Sequence, residues 1–189
     1  MSSYKRIHIY GHVSAQPQAI ANLFDAQLAS EIVAESDLAI FAINPAAGVD
    51  QKTIDQWQAL SDFQLPRLVV VNELDGSDAD FEDAIMLANR VFDQLVTPYL
   101  VLHSESGSPI ALISLSDLQI IDYSTNPPTT SASEVEHQEL VAEFREEYLD
   151  QIAGAGENAF AAGLLFPAIP IVISNGLGID VVKRFIDQL

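Results

Sequence analysis

Three continuous apolar runs constrain this chain most: "LAIFAIN" (Leu38–Asn44), "RLVVVN" (Arg67–Asn72) and "AIPIVIS" (Ala168–Ser174). A strand with one wet face alternates apolar and polar residues. A run without alternation is covered on both faces, as in a parallel sheet flanked by helices. "RIHIYG" (Arg6–Gly11) is a fourth, shorter strand-like run. Segments of helical period lie between or beyond these runs. Pro17–Ile32 carries Ile20, Leu23, Phe24, Leu28 and Ile32 on one face, and Val49–Phe63, Asp78–Leu95 and Gly178–Leu189 follow the same rule. Pro17 suits a first helical turn and Asp50 an N-cap. The alternation predicts an α/β fold, a mainly parallel sheet between helical layers with right-handed crossovers.

The period changes between Pro98 and Tyr123. "YLVLHS", "SPIALIS" and "LQIIDYS" read as three short strands of an antiparallel meander. Ser124–Ser133 reads as a polar loop. Glu134–Ile152 reads as one long acidic helix, with Leu140, Val141, Phe144, Tyr148 and Leu149 packed on the meander, and "GENAFAAGLLF" as a shorter helix. The expected organisation is a core of residues 1–97 and 166–189, interrupted by an insert over 98–165.

Charge narrows the partners. The 189 residues hold 27 Asp and Glu against 8 Lys and Arg, a net charge of −19. Such a surface repels nucleic-acid backbones and anionic lipids, so direct nucleic-acid binding is not expected. No apolar run reaches the roughly 20 residues of a membrane span. The opening "MSSYKRIHIY" lacks the layout of a signal peptide, and there is no cysteine for a disulfide or thiolate site. A cytoplasmic protein is the expectation.

Motifs within this frame resemble the GTP-binding domain of translation elongation factor G. The gap-free run Gly48–Phe81 carries the family's landmarks in order: Gly48-Val49, Thr53, Trp57, Pro66-Arg67, an apolar strand, Asn72-Glu73-Leu74-Asp75, and Ala79-Asp80-Phe81. "GHVSAQPQAI" resembles the family's phosphate loop, Gly-His-[Val/Ile]-Asp-x-Gly-Lys-Thr-Thr-Leu. The meander resembles the family's inserted subdomain, and "IVISNGLGIDVVKRFIDQL" resembles its last strand, Ser-Ala motif and closing helix. The resemblance implies a P-loop-NTPase-like α/β/α core with a small antiparallel insert.

It also implies a nucleotide site, and there the sequence departs from the pattern. A working phosphate loop needs a second glycine, a lysine for the phosphate charge and a hydroxyl for magnesium. Those positions hold Gln16, Pro17 and Gln18, and proline also lacks an N–H. In the guanine motif, Asn72 and Asp75 remain, while Glu73 replaces the lysine. Ser174-Asn175 takes the place of Ser-Ala in a shorter loop. Gly11, His12, Asn72, Asp75 and Ser174 are therefore the candidate vestigial nucleotide-binding residues, with no catalytic residue, no metal ligand and no cofactor expected. The alternative roles are plain: a strand-to-helix turn after Gly11, Asn72 tying two loops, and Asp75 capping a turn.

A deletion completes the expectation. Only Ala29 to Ser36 separates the first helix from "LAIFAIN". The family keeps its first switch, its magnesium-binding Thr, an Asp-x-x-Gly and a catalytic His in that interval. Without them, phosphoryl transfer lacks charge stabilisation. The lost strands would also leave Lys5–Val13 at a bare sheet edge, open to a second copy or a partner protein.

Other constellations fit ordinary structure. Counted from Asp78, the acidic stretch Asp75–Asp83 puts Asp83 and Asn89 where a calcium loop needs Gly and Glu. His8, His12, His103 and His137 have no metal-ligand spacing. Three functions follow: a non-hydrolysing GTPase-like domain acting as an interaction or regulatory module, a guanine nucleotide or nucleoside binder with altered chemistry, and a different ligand in the crevice at the strand ends.

Overall fold

The computed structural model describes residues 4–76 and 80–189. The expected helix start at Asp78 and the calcium count from it lie outside those residues.

Strands β1 (Ile7–Gly11), β2 (Gln27–Leu28), β3 (Leu38–Ile43), β4 (Arg67–Val71), β5 (Leu95–Val96) and β10 (Phe166–Pro170) form one sheet, ordered β2-β1-β3-β4-β10-β5. Every neighbouring pair is parallel. Each residue of β3 and β4 is buried, as their unbroken apolar sequences require. Helices α1 (Pro17–Leu23), α2 (Gln51–Ser61), α3 (Phe81–Ala88) and α6 (Ile179–Ile186) complete the α/β unit. On α2 the buried residues are Thr53, Gln56, Trp57 and Leu60, one face at helical spacing.

A second sheet, ordered β6-β7-β8-β9, is antiparallel: β6 (Tyr99–His103), β7 (Pro109–Ser114), β8 (Gln119–Asp122) and β9 (Thr129–Ala132). One apolar core runs through both sheets, from Ile9 and Phe41 to Leu112 and Ile121. Asn175 Nδ2 donates to Pro109 O at 2.9 Å and Tyr123 Oη to Asp180, which ties the second sheet to the segment around α6.

The sheet edge differs from expectation. β1 is not bare: β2 lies along it, pairing His8 with Gln27 and Ile9 with Leu28, and Ala29 N donates to Ile9 O at 2.9 Å. The shortened connection folds back to fill the place of the missing strands. Val33 N donates to the Tyr10 hydroxyl at 3.0 Å, and Ser36 Oγ lies 2.6 Å from His8 Nδ1. A partner or second copy therefore cannot add to β1 directly. The same fold-back ends α1 at Leu23 rather than near Ile32.

Other boundaries moved for identifiable reasons. α3 stops at Ala88 because the next turn carries Phe92 onto Trp57, stacked at 4.3 Å, and Asp93 to the indole N–H at 2.9 Å. The acidic helix breaks at buried Val141 into α4 (Val135–Leu140) and α5 (Ala142–Ala153). Leu140 and Phe144 stay exposed, and Arg145 holds α5 to the second sheet through Leu115 O and Ser116 O. Residues 157–163 form turns rather than a helix, and part of the expected loop became β9.

Candidate functional site

The predicted site residues meet at the carboxyl ends of β1 and β4 and the loop after β10. Gly11 ends β1 with φ 149°, and a Cβ there would collide with Ala42 O on β3. His12 then caps a 3-10 turn over Val13–Ala15, its Nδ1 accepting from Ser14 N at 3.1 Å. Ala15 N donates to His12 O at 2.9 Å, and Gln16 N to Val13 O at 3.0 Å. The amides of residues 14, 15 and 16 are thus all satisfied within the loop, and Pro17 has none. A phosphate cradle needs such amides turned outward. With no lysine and no hydroxyl at positions 17 and 18, these residues do not fit a magnesium-bound triphosphate.

One residue of the loop has a backbone conformation that favours glycine. Gln16 is left-handed, φ 54° and ψ 52°, a conformation that costs a residue with a Cβ about 1–2 kcal/mol. Its side-chain amide donates to the Glu73 carboxylate, joining the two positions where the family pattern has glycine and lysine. Glu73 is also at positive φ, 64°. The bridge places a carboxylate in hydrogen-bond contact with the loop after β1, and a carboxylate beside such a loop disfavours an anion.

The base-side residues hold together differently. Asn72 is buried, and its Nδ2 donates to Ala15 O at 3.0 Å, tying the β4 loop to the loop after β1. Asn44, which the sequence reading did not single out, repeats this tie from β3, donating to Ser14 O at 2.9 Å. Its signal was its place, directly after the apolar run, as Asn72 follows the next one. Ser174 Oγ donates to Asp75 Oδ2 at 3.0 Å across the crevice. Hydrogen bonds thus join Asn72 to the loop after His12 and Asp75 to Ser174, while Gly11 lines one hollow and Ser174 a separate one beside Asp180. Among the described residues, no group of three or more His, Cys, Asp or Glu is placed to hold a metal.

The residues beside the loop are mixed, apolar and polar. Val13, Pro17 and Leu28 line a hollow of about 510 Å³ together with the polar Gln16, Gln18, Ser30 and Lys52. Val13 is 78% exposed, at the tip of a loop whose family counterpart holds anions.

No family model matches the chain. Over 167 residues it is 29% identical to an elongation factor G-like protein of Mycobacterium tuberculosis, covering 76% of this chain and 23% of that protein. It is 27% identical over 124 residues to mitochondrial ribosome-releasing factor 2 of Drosophila melanogaster, covering 62% of this chain and 17% of that one. The chain therefore spans less than a quarter of the length of these curated relatives. The crystal structure of a Thermus thermophilus protein, ttk003000868, superposes with a TM-score of 0.69 at 21% identity, covering 82% of this chain and 26% of that one. No described helix is long and apolar enough to cross a membrane. The chain is thus similar in sequence to elongation factor G-like proteins over about three quarters of its length, and it shares its fold with the Thermus thermophilus structure.

Proposed function

We propose that this domain neither hydrolyses GTP nor holds it tightly, and acts as a protein-interaction or regulatory module in a translation-related, cytoplasmic setting. The observation that carries the reading is the phosphate-loop segment. Its amides at 14, 15 and 16 are used internally, Pro17 stands for the lysine, and Gln16 is bridged to Glu73. One lost charge-assisted contact costs about 1.5–3 kcal/mol, and several are missing together. The translation-related part of the setting rests on the relatives' names, "Elongation factor G-like protein" and "Ribosome-releasing factor 2, mitochondrial", and the cytoplasmic part on the sequence reading alone.

A second reading has its own observation. Asp75 and Ser174 remain paired beside the crevice, and Asn72 still ties the loops. A guanine ligand with little phosphate charge would meet these groups without the repulsion of Glu73. Thermal shift separates the readings. A ligand at about 100 times its dissociation constant adds roughly 2.7 kcal/mol of stability. No response to GTP, GDP or guanosine, with or without magnesium, supports the first reading. A response to guanosine alone supports the second, and a magnesium-dependent response to GTP overturns both.

A further inference from the structure

The second sheet ends on β9, and no described strand pairs with its outer side. Thr129, Thr130, Ser131 and Ala132 are all exposed. The other sheet ends offer less. β2 and β5 are two residues long, and β6, with Leu100 and Val101 buried, packs against β10. Among the described residues, β9 is therefore the most exposed sheet edge longer than two residues.

Proteins guard such edges with lysine, proline, bulges or very short strands. β9 has none of these. Its register with β8 is unbroken from Gln119↔Ala132 to Asp122↔Thr129, and the sheet's irregularity lies at Leu102/His103. Threonine favours extended backbone. An unguarded edge of this kind accepts an added strand through main-chain hydrogen bonds.

Charge selects the occupant. No charged residue lies between Asp122 and Glu134. Acids stand near both ends of the edge: Asp122 on β8 opposite Thr129, and Asp117 and Glu134 two residues along the chain from the Gln119 and Ala132 pair, while Lys183 and Asp180 share a hollow with Thr130 at its middle. A second copy, also at −19, would set its acids against these, and like charges across a ladder destabilise it. A strand with cations at both ends is complementary.

We propose that β9 docks an extended, cationic segment of another protein, added as a fifth strand with Lys or Arg flanking a short β-prone stretch. This deepens the interaction-module reading and rests on it. Nucleotide titration tests that reading, and peptide titration tests this surface, so either can fail alone.

The test uses the full chain and three synthetic peptides: KKVTVTKK, the acidic EEVTVTEE, and KKPTPTKK, which keeps the charge but cannot form a strand. Hydrogen exchange is followed along the chain. The proposal expects KKVTVTKK alone to bind saturably and to slow exchange at Thr129–Ala132 at least about tenfold, more weakly at about 500 mM than at about 50 mM salt. Thr130→Pro and Ser131→Pro are made separately. The variant whose lost N–H faced outward keeps its thermal midpoint and loses binding about tenfold. Equal binding of KKPTPTKK, protection elsewhere, or no saturable binding overturns the proposal. So does protection of the same amides by self-association without peptide.

Discussion

The Gln16 side-chain amide donates to the carboxylate of Glu73, across 57 positions of sequence. Both residues have positive φ, and both are among the chain's departures from the family pattern. The two departures are thus one structural unit, joined by this internal tie. In the natural chain, Gln16→Gly relieves backbone strain but removes the tie, so it should be near neutral. In a Glu73→Ala background only the strain remains, and the same change should stabilise by about 1 kcal/mol. Urea denaturation of the four proteins reads the coupling. Equal effects in both backgrounds would remove the tie.

Arg67 is a buried cation held between two rings, its guanidinium carbon 4.3 Å from the Trp57 ring centre and 4.4 Å from that of Phe166. It donates to Trp57 O at 3.1 Å and Ser61 Oγ at 3.0 Å, with Asp93 at 3.5 Å. Burial pulls its pKa down, and Asp93 opposes that. Nε has no partner, so the site already carries a desolvation cost. Arg67→Ala should cost about 3 kcal/mol or more through the emptied slot, and Arg67→Met less, because it refills the slot without a charge. Chemical denaturation ranks the two.

Gly178 and Gly176 share a φ of 79°, but only at Gly178 would a Cβ strike backbone, the carbonyl of Pro170. Gly176→Ala should cost about 1 kcal/mol for the conformation alone. Gly178→Ala should cost on the order of 3 kcal/mol or more and displace the start of α6. Thermal unfolding of the two variants makes the comparison.

His8 is buried, its Nδ1 beside Ser36 Oγ, which donates to Val33 O. Burial lowers its pKa below the ordinary histidine value, against a raising contribution from Gln27; Arg6 lowers it further and Asp37 raises it. The unfolded chain then binds the proton first. Stability should therefore fall as pH drops below about 6.5 and stop falling once the folded histidine is also protonated. His8→Asn should flatten this dependence in urea midpoints between about pH 7 and 5.5. An unchanged slope would assign it to other groups.

The apolar runs revealed the parallel sheet because period and burial are local consequences of composition: β3 and β4 are strands with every residue buried. The fold-back of β2 was not legible. Two exposed residues, Gln27 and Leu28, form a strand only because the edge of β1 needs partners. The same holds for β9, whose threonines and serine read as a loop until β8 is beside them. At the site, the missing lysine and hydroxyl were visible as residue types. The bridge of Gln16 to Glu73 and the tie of Asn44 were not, because each depends on which loops the sheet brings together.

The central claim is tested most directly by equilibrium titration of the full chain with a fluorescent GTP analogue and magnesium, beside a variant carrying Gln16→Gly, Pro17→Lys, Gln18→Thr and Glu73→Lys. The account predicts no saturation of the natural chain at concentrations up to about 1 mM, an affinity weaker than roughly −4 kcal/mol. Saturable, magnesium-dependent binding by the natural chain in the micromolar range or tighter would contradict it.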